Sequence, residues 1–305
     1  MVNKNVFKHS LLVSNIFDPL THDTKTLEKL YDDLSKPLRY QSIETRLIRD
    51  EHLINKFKSI KSKNQWNTTY WITGEISRAK LNPSSMDETL RVKAVNEIKR
   101  MIDLASLTKC DFIGIASGPC EDENKRYDQI DQFQKTILEI LEYIQEKSYS
   151  MKVVFEPLDV FAHKKNVLGK TDEVYEFLNR FPKDIMKANQ LSICWDSAHF
   201  ALNEEEFNYS INKIAPYISR VHFADAILDK DNEAYGDWHR NFDQKGFMNE
   251  HVASSILRQI IKTKVHQEEI YVAVEIREHD ASNVWNLEEY SYRFVESAIR
   301  GAYNK

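Results

Sequence analysis

The sequence predicts an α/β protein folded as a (β/α)8 TIM barrel. Strand-like and helix-like runs alternate from end to end, and eight β–α pairs are countable in 305 residues. The strand candidates read as continuous apolar runs rather than strict alternations, as expected when helices cover a parallel sheet. No Pro-, Gly- or Ser-rich linker, short-period repeat or low-complexity segment interrupts the pattern, so residues 1–305 are expected to form one domain. A doubly wound open sheet is the structural alternative.

The elements follow in order. VFKHSLLVS is the first strand candidate, followed by the helix-like TKTLEKLYDDLS. YQSIETRLI and a helix from Asp50 to Lys61 form the second pair. TTYWITGEIS precedes a long helix from Met86 to about Ser106, whose Leu90, Val95, Ile98, Ile102 and Leu104 follow a helical period. DFIGIASG precedes an amphipathic helix from Gln129 to Gln145. MKVVFEP leads to a helix from Asp172 to Arg180 with Thr171 as its expected N-cap. LSICWDS precedes a helix from Glu204 to Ile214. ISRVHFAD is followed by a long loop, Asp225 to Asn249, and a helix from His251 to Thr263. EIYVAVEIRE and a closing helix from Leu287 to about Ala302 complete the series.

Composition narrows the function classes. Hydrophobic and aromatic fractions of 42% and 11% are ordinary for a globular chain. No stretch approaches the roughly 18 apolar residues of a membrane span. The formal net charge of -5 disfavours a nucleic-acid partner. With 7 glycines in the chain, no GxGxxG or GxxxxGK[ST] motif occurs, which removes support for a dinucleotide or phosphate-loop fold. Three cysteines without CxxC spacing (Cys110, Cys120, Cys194) argue against a disulfide framework or a thiolate zinc site. The first residues contain no A-x-A-like cleavage site. Both features favour a cytoplasmic setting.

The chemistry concentrates at strand ends. Glu156, Asp196, His222 and Glu275 each lie at or near the C-terminal end of one of the last four strand candidates. Taken singly, a glutamate at a strand end is an ordinary surface or ion-pair residue, and a histidine in an apolar run is an ordinary core residue. Four such residues delivered to one rim of a barrel make a site for one divalent cation: Mn, Mg, Co or Zn. A cation held that way polarises a carbonyl or hydroxyl. His199, three residues past Asp196, and Asp237 and His239 in the long loop are further candidates. They are expected either to grip substrate or to hold a second metal. Glu44, Glu75 and Ser117 are rim candidates from the first half, and Arg46 and Arg277 are candidate partners of a substrate phosphate or carboxylate. Trp71, Phe155 and Trp195 are candidates for an apolar wall of the site.

FEP, WDSAH, RVHFAD, GDWHR and AVEIRE, in that order, resemble the sugar isomerase/epimerase superfamily of xylose isomerase-like TIM barrels, which also includes the endonuclease IV-type AP endonucleases. The resemblance implies that Glu156 and Glu275 both hold the metal and transfer protons, as the paired glutamates of ketose 3-epimerases do. It makes Asp196 and His222 the remaining ligands. It places His199 and His239, or Arg240 beside it, against a sugar or sugar-derived substrate, in a protein that often associates with copies of itself. The expected activity is isomerisation or epimerisation by proton transfer next to a metal-polarised carbonyl. An endonuclease IV-type phosphodiesterase and a sugar-acid or inosose-type dehydratase are the alternatives. The former also carries histidines after strands three and four, where this chain has TGEIS and IASGP.

Overall fold

A computed structural model of the chain describes residues 6–243, 245–263 and 268–304. Eight strands form a closed parallel barrel in sequence order. They are β1 (Phe7–Leu12), β2 (Ser42–Thr45), β3 (Asn67–Trp71), β4 (Phe112–Ile115), β5 (Lys152–Phe155), β6 (Leu191–Asp196), β7 (Ile218–Phe223) and β8 (Ile270–Val274). β1 closes on β8 through Phe7↔Ile270, Lys8↔Tyr271 and His9↔Val272. The (β/α)8 expectation holds, and the open sheet is excluded.

Carboxylate and amide caps start the principal helices. Asp23, Asp50, Asp87 and Asn249 accept backbone N–H bonds at the starts of Thr24–Leu34, Glu51–Asn64, Glu88–Ser106 and Glu250–Lys262. Such side chains satisfy otherwise orphaned donors. The helices bury one face against the barrel, and the main core runs from Phe7 to Ala302. Phe133, Phe155 and Phe177 form one aromatic knot in it, with centroids 5.3–6.2 Å apart. No helix among the described residues is long and apolar enough to cross a membrane.

Several boundaries differ from expectation. The run TTYWITGEIS leaves the sheet at Trp71, and Thr73–Arg78 forms a short helix. The helix expected from Glu204 starts at Phe207, and an unexpected one, Ser197–Leu202, precedes it. Thr171 is the first helical residue of Thr171–Asn179 rather than its cap, because the Glu205 carboxylate takes its N–H and hydroxyl.

The barrel interior is more polar than apolar strand runs imply. Arg220 on β7 is fully buried, held between the Phe112 and Tyr271 rings with its guanidinium carbon 4.8 Å from each centroid. It donates to Ser42 Oγ (3.3 Å) and Asn67 Oδ1 (2.7 Å) and lies 3.7 Å from Glu44 Oε1. Beside it Phe112, Val154, Cys194 and Trp71 form a small apolar plug.

Gly114 on β4 makes room for that plug. A Cβ there would lie 2.3 Å from the Trp71 ring. Gly114→Ala should therefore push the indole off its hydrogen bond to Glu44 and cost about 1–3 kcal/mol of stability. Denaturant unfolding followed by tryptophan fluorescence checks this; an unchanged midpoint and emission maximum would contradict it.

Candidate functional site

The strand ends deliver the expected side chains to one point. Ligand atoms of Glu156, Asp196, His222 and Glu275 all lie within 4.8 Å of one another. Glu156 and Glu275 follow β5 and β8, and ladder bonds fix their backbones: Glu156 N–H to Ile115 O (2.9 Å) and Glu275 N–H to Phe223 O (2.8 Å). Asp196 and His222 are register partners on β6 and β7. A register shift between Ile193 and Cys194 precedes that pairing. The cleft above has a volume of about 300 Å³ and is lined by Glu156, His222 and Glu275, with Asp196 buried beneath.

Asp196 divides its two oxygens between structure and site. Oδ1 caps the helix Ser197–Leu202, accepting from Ala198 N (2.8 Å) and His199 N (3.1 Å). Oδ2 is buried with no hydrogen-bond partner, as is Glu156 Oε1. Desolvation pushes the Asp196 carboxyl well above its ordinary pKa; His199 opposes the shift, and Glu275 and Glu156 add to it. Unpartnered carboxylate oxygens in a crowded anionic cluster are the arrangement a divalent cation relieves. The donor set therefore fits one hard or borderline cation. Cys194, two residues before Asp196, also lies within 4.8 Å of Glu156 and His222 ligand atoms.

His222 is oriented from below. Its Nδ1 faces Glu275 Oε2 (2.9 Å) and Glu156 Oε1 (3.4 Å). Its Nε2 lies 3.0 Å from Glu44 Oε2. Glu44 was expected to bind substrate at the rim. It is instead fully buried within β2, outside the cleft, because its oxygens are taken by Ser10 Oγ (2.7 Å), Trp71 Nε1 (2.7 Å) and His222. Desolvation opposes ionisation, but His222 and Arg220 outweigh it and hold the Glu44 pKa at about 2. An ionised carboxylate only accepts, so Nε2 donates to Glu44 and turns Nδ1 into the cluster, toward Glu275 and Glu156. Glu275 is also held at about 2, where His239 and His222 overcome its burial, and Asn15 Nδ2 donates to it (3.0 Å).

His199, Asp237 and His239 gather on the far side. A left-handed backbone at His239 (φ 53°) turns the long loop, and its carbonyl accepts from Arg277 N (2.8 Å). Asp237 Oδ1 lies 3.3 Å from His239 Nδ1. Lys164 Nζ lies 3.2 Å from Asp237 Oδ2, and His199 Nε2 lies 3.7 Å from the same oxygen. The ammonium of Lys164 thus stands where a second cation would meet Asp237. Among the described residues these three side chains do not form a metal-sized cluster.

Other candidates are placed elsewhere. Arg240 pairs with Asp243 Oδ2 (2.9 Å) and does not line the cleft. Glu75 pairs with Arg78 (2.8 Å) and Arg49 (3.2 Å). Ser117 Oγ accepts from Leu168 N (3.0 Å) beneath the rim. Trp195 is buried against Phe200 and Ser210, and Phe155 belongs to the aromatic knot, so only Trp71 of the three aromatics lines the cleft.

Sequence reasoning missed Asp159. Its Oδ1 lies 3.1 Å from His199 Nδ1, and its Oδ2 accepts from His163 N (2.6 Å) and Lys164 N (2.7 Å). The available signal was FEPLD, a carboxylate three residues past Glu156. Burial disfavours the charged His199 ring, but Asp159, Asp196 and Asp237 raise its pKa from 6.5 to about 10. A raised folded value means the charged ring contributes stability below pH 6.5 and loses it as pH rises through about 10. Asp159→Asn should move the His199 titration down toward 6.5, so that the loss is smaller and complete at lower pH. Ring NMR titration and unfolding between pH 6 and 10 check this; an unmoved His199 titration would contradict it.

The fold and site stand beside known proteins as follows. A model of the xylose isomerase-like TIM barrel matches residues 36–275. No curated protein matches the chain. Among solved structures, an L-ribulose 3-epimerase superposes with a TM-score of 0.69 at 13% identity, covering 97% of this chain and 95% of that one. An AP endonuclease, family 2, from Brucella melitensis gives 0.65 at 14%, covering 94% and 100%. An IOLI protein with a bound zinc atom gives 0.62 at 16%, covering 97% and 95%. At such identities the likeness is one of fold, and it agrees with the family match over most of the barrel. By that match this chain belongs to the xylose isomerase-like TIM barrel family.

Proposed function

We propose that this protein is a metal-dependent sugar isomerase or epimerase. One observation carries the reading: two carboxylates of a single ligand set, Glu156 and Glu275, also line the cleft where substrate would sit. They come from β5 and β8, with β6 and β7 between them, so they reach the cleft from different sides. Asp196 and His222 complete the ligand set. A bound divalent cation would supply polarisation of a substrate carbonyl. Glu156 or Glu275 removes the proton from the adjacent carbon, and the other carboxylate returns one to the opposite face. His199, held as a cation by Asp159, donates to a substrate oxygen, and His239 donates beside it. Trp71 closes one wall of the cleft.

The epimerase and IOLI structures support this reading as neighbours of the same fold. The phosphodiesterase reading is less well supported. The segments after β3 and β4, Thr73–Gly74 and Ala116–Ser117, offer no imidazole, and Lys164 pairs with Asp237 where a further metal would sit. A dehydratase would use the same carboxylates, and its product alone separates it from an epimerase.

Purified protein should take up one divalent cation per chain. With a panel of ketoses, aldoses and sugar acids in deuterated water, it should place deuterium on one carbon next to a carbonyl. Glu156→Gln should lower that exchange by roughly 10²–10⁴-fold and weaken metal binding. Unchanged exchange in the variant would overturn the assignment, and loss of water from the substrate would identify the dehydratase instead.

A further inference from the structure

The cleft has a second, oppositely charged side. The carboxylates come from the ends of β5, β6 and β8, whereas Arg277, Ser14, Arg46 and Thr73 follow β8, β1, β2 and β3. These four strands are neighbours in the barrel, so their ends form one continuous stretch of rim. All four residues line the same cleft as Glu156 and Glu275.

The cations along this cleft differ in one respect. Arg46 is tied to Asp18, Arg78 to Glu75 and Lys164 to Asp237. Among the described residues no carboxylate pairs with Arg277. Its Nε is buried without a hydrogen-bond partner, and the Thr73 hydroxyl on the same wall is likewise buried and unpartnered. Nearby carboxylates cannot easily serve Arg277. Glu275, two residues before it on the same strand end, is already engaged by His222 and Asn15. Leaving buried donors unmet is costly, and a guanidinium is shaped to receive a two-oxygen anion.

We propose that this rim binds an anionic group of the substrate, a phosphate or a carboxylate, with Arg277 as its direct partner and Thr73 and Ser14 as supporting hydroxyl donors. The substrate is then an anionic sugar that spans the cleft, its carbonyl end toward Glu156 and Glu275. Only the identity of that carbonyl end rests on the sugar isomerase reading. Arg46, already neutralised by Asp18, adds hydrogen-bonding capacity rather than net charge.

Calorimetric titration of the Mn²⁺-loaded protein with D-fructose, D-fructose 6-phosphate, D-gluconate and inorganic phosphate tests this. At least one anionic probe should bind about tenfold or more tightly than D-fructose. Preference for D-fructose 6-phosphate and phosphate identifies a phosphate site; preference for D-gluconate identifies a carboxylate site. Arg277→Met should weaken the preferred anion by about 10- to 100-fold while Mn²⁺ stoichiometry stays the same. Arg277→Lys, which keeps the charge but not the fork, should fall between. Equal binding of neutral and anionic probes, or an equal loss of both in Arg277→Met, overturns the proposal. If the protein takes up no Mn²⁺, the metal reading fails instead, and Arg277-dependent binding of inorganic phosphate to the unloaded protein still decides the anion site.

Discussion

The site depends on one buried contact, the hydrogen bond from His222 Nε2 to Glu44. A histidine among carboxylates can present either nitrogen, and its ring can flip. Glu44 removes that freedom by accepting from Nε2, leaving Nδ1 toward Glu156 and Glu275. Glu44 is in turn fixed by Ser10 and Trp71 and balanced by Arg220, which is itself held between two aromatic rings. An ion pair buried this deeply is weak evidence of net stabilisation. Removing one partner would leave an uncompensated charge, at a cost of roughly 3–5 kcal/mol. What the pair provides is a single orientation of His222, and with it a single position for the ligand cluster.

The second organising device is the double use of carboxylates. Asp196 caps a helix with one oxygen and leaves the other bare in the cluster. Asp159 holds His199 with one oxygen and shapes the loop carrying Lys164 with the other. Lys164 then meets Asp237. In each case the oxygen committed to backbone positions the residue, so the second oxygen needs little further ordering. The two clusters differ in what satisfies them. The Asp196 and Asp237 clusters each keep a buried carboxylate oxygen that no hydrogen bond satisfies, but the Lys164 ammonium lies 3.2 Å from the one on Asp237.

The barrel and the four strand-end residues were legible because both express themselves along the chain. Alternation of elements shows in periodicity, and a polar residue ending an apolar run is conspicuous. Trp195 was decidable as well: neighbours in a strand face opposite ways, so with Asp196 turned toward the cluster Trp195 must face the helices. Glu44 was read at the rim because SIET looks like a strand end. That it sits one layer deeper is a matter of barrel stagger, which one strand cannot reveal. Arg240 was attractive for standing next to His239, but adjacency sends the two side chains apart, and Asp243 three residues on captures the guanidinium. Asp159 and Lys164 were missed because their meaning arises only when the loop after β5 folds over the end of β6.

Strand order around a closed barrel also explains how so small a cleft can hold two opposite electrostatic walls. A volume of about 300 Å³ is at the low end for small-molecule pockets. Within it β8 is the hinge of the charge distribution, because Glu275 and Arg277 leave the same strand end two residues apart. Glu275 turns to His222 and the carboxylates of β5 and β6; Arg277 adjoins the hydroxyls and arginine of β1, β2 and β3. A ligand with a carbonyl at one end and a negative charge at the other would, in the proposed orientation, set its anion against Arg277 and its carbonyl beside Glu156 and Glu275. Reversing it would take the anion away from Arg277 and the hydroxyls of Ser14 and Thr73. On that proposal, the order of the strands sets which end of the ligand meets Glu156 and Glu275.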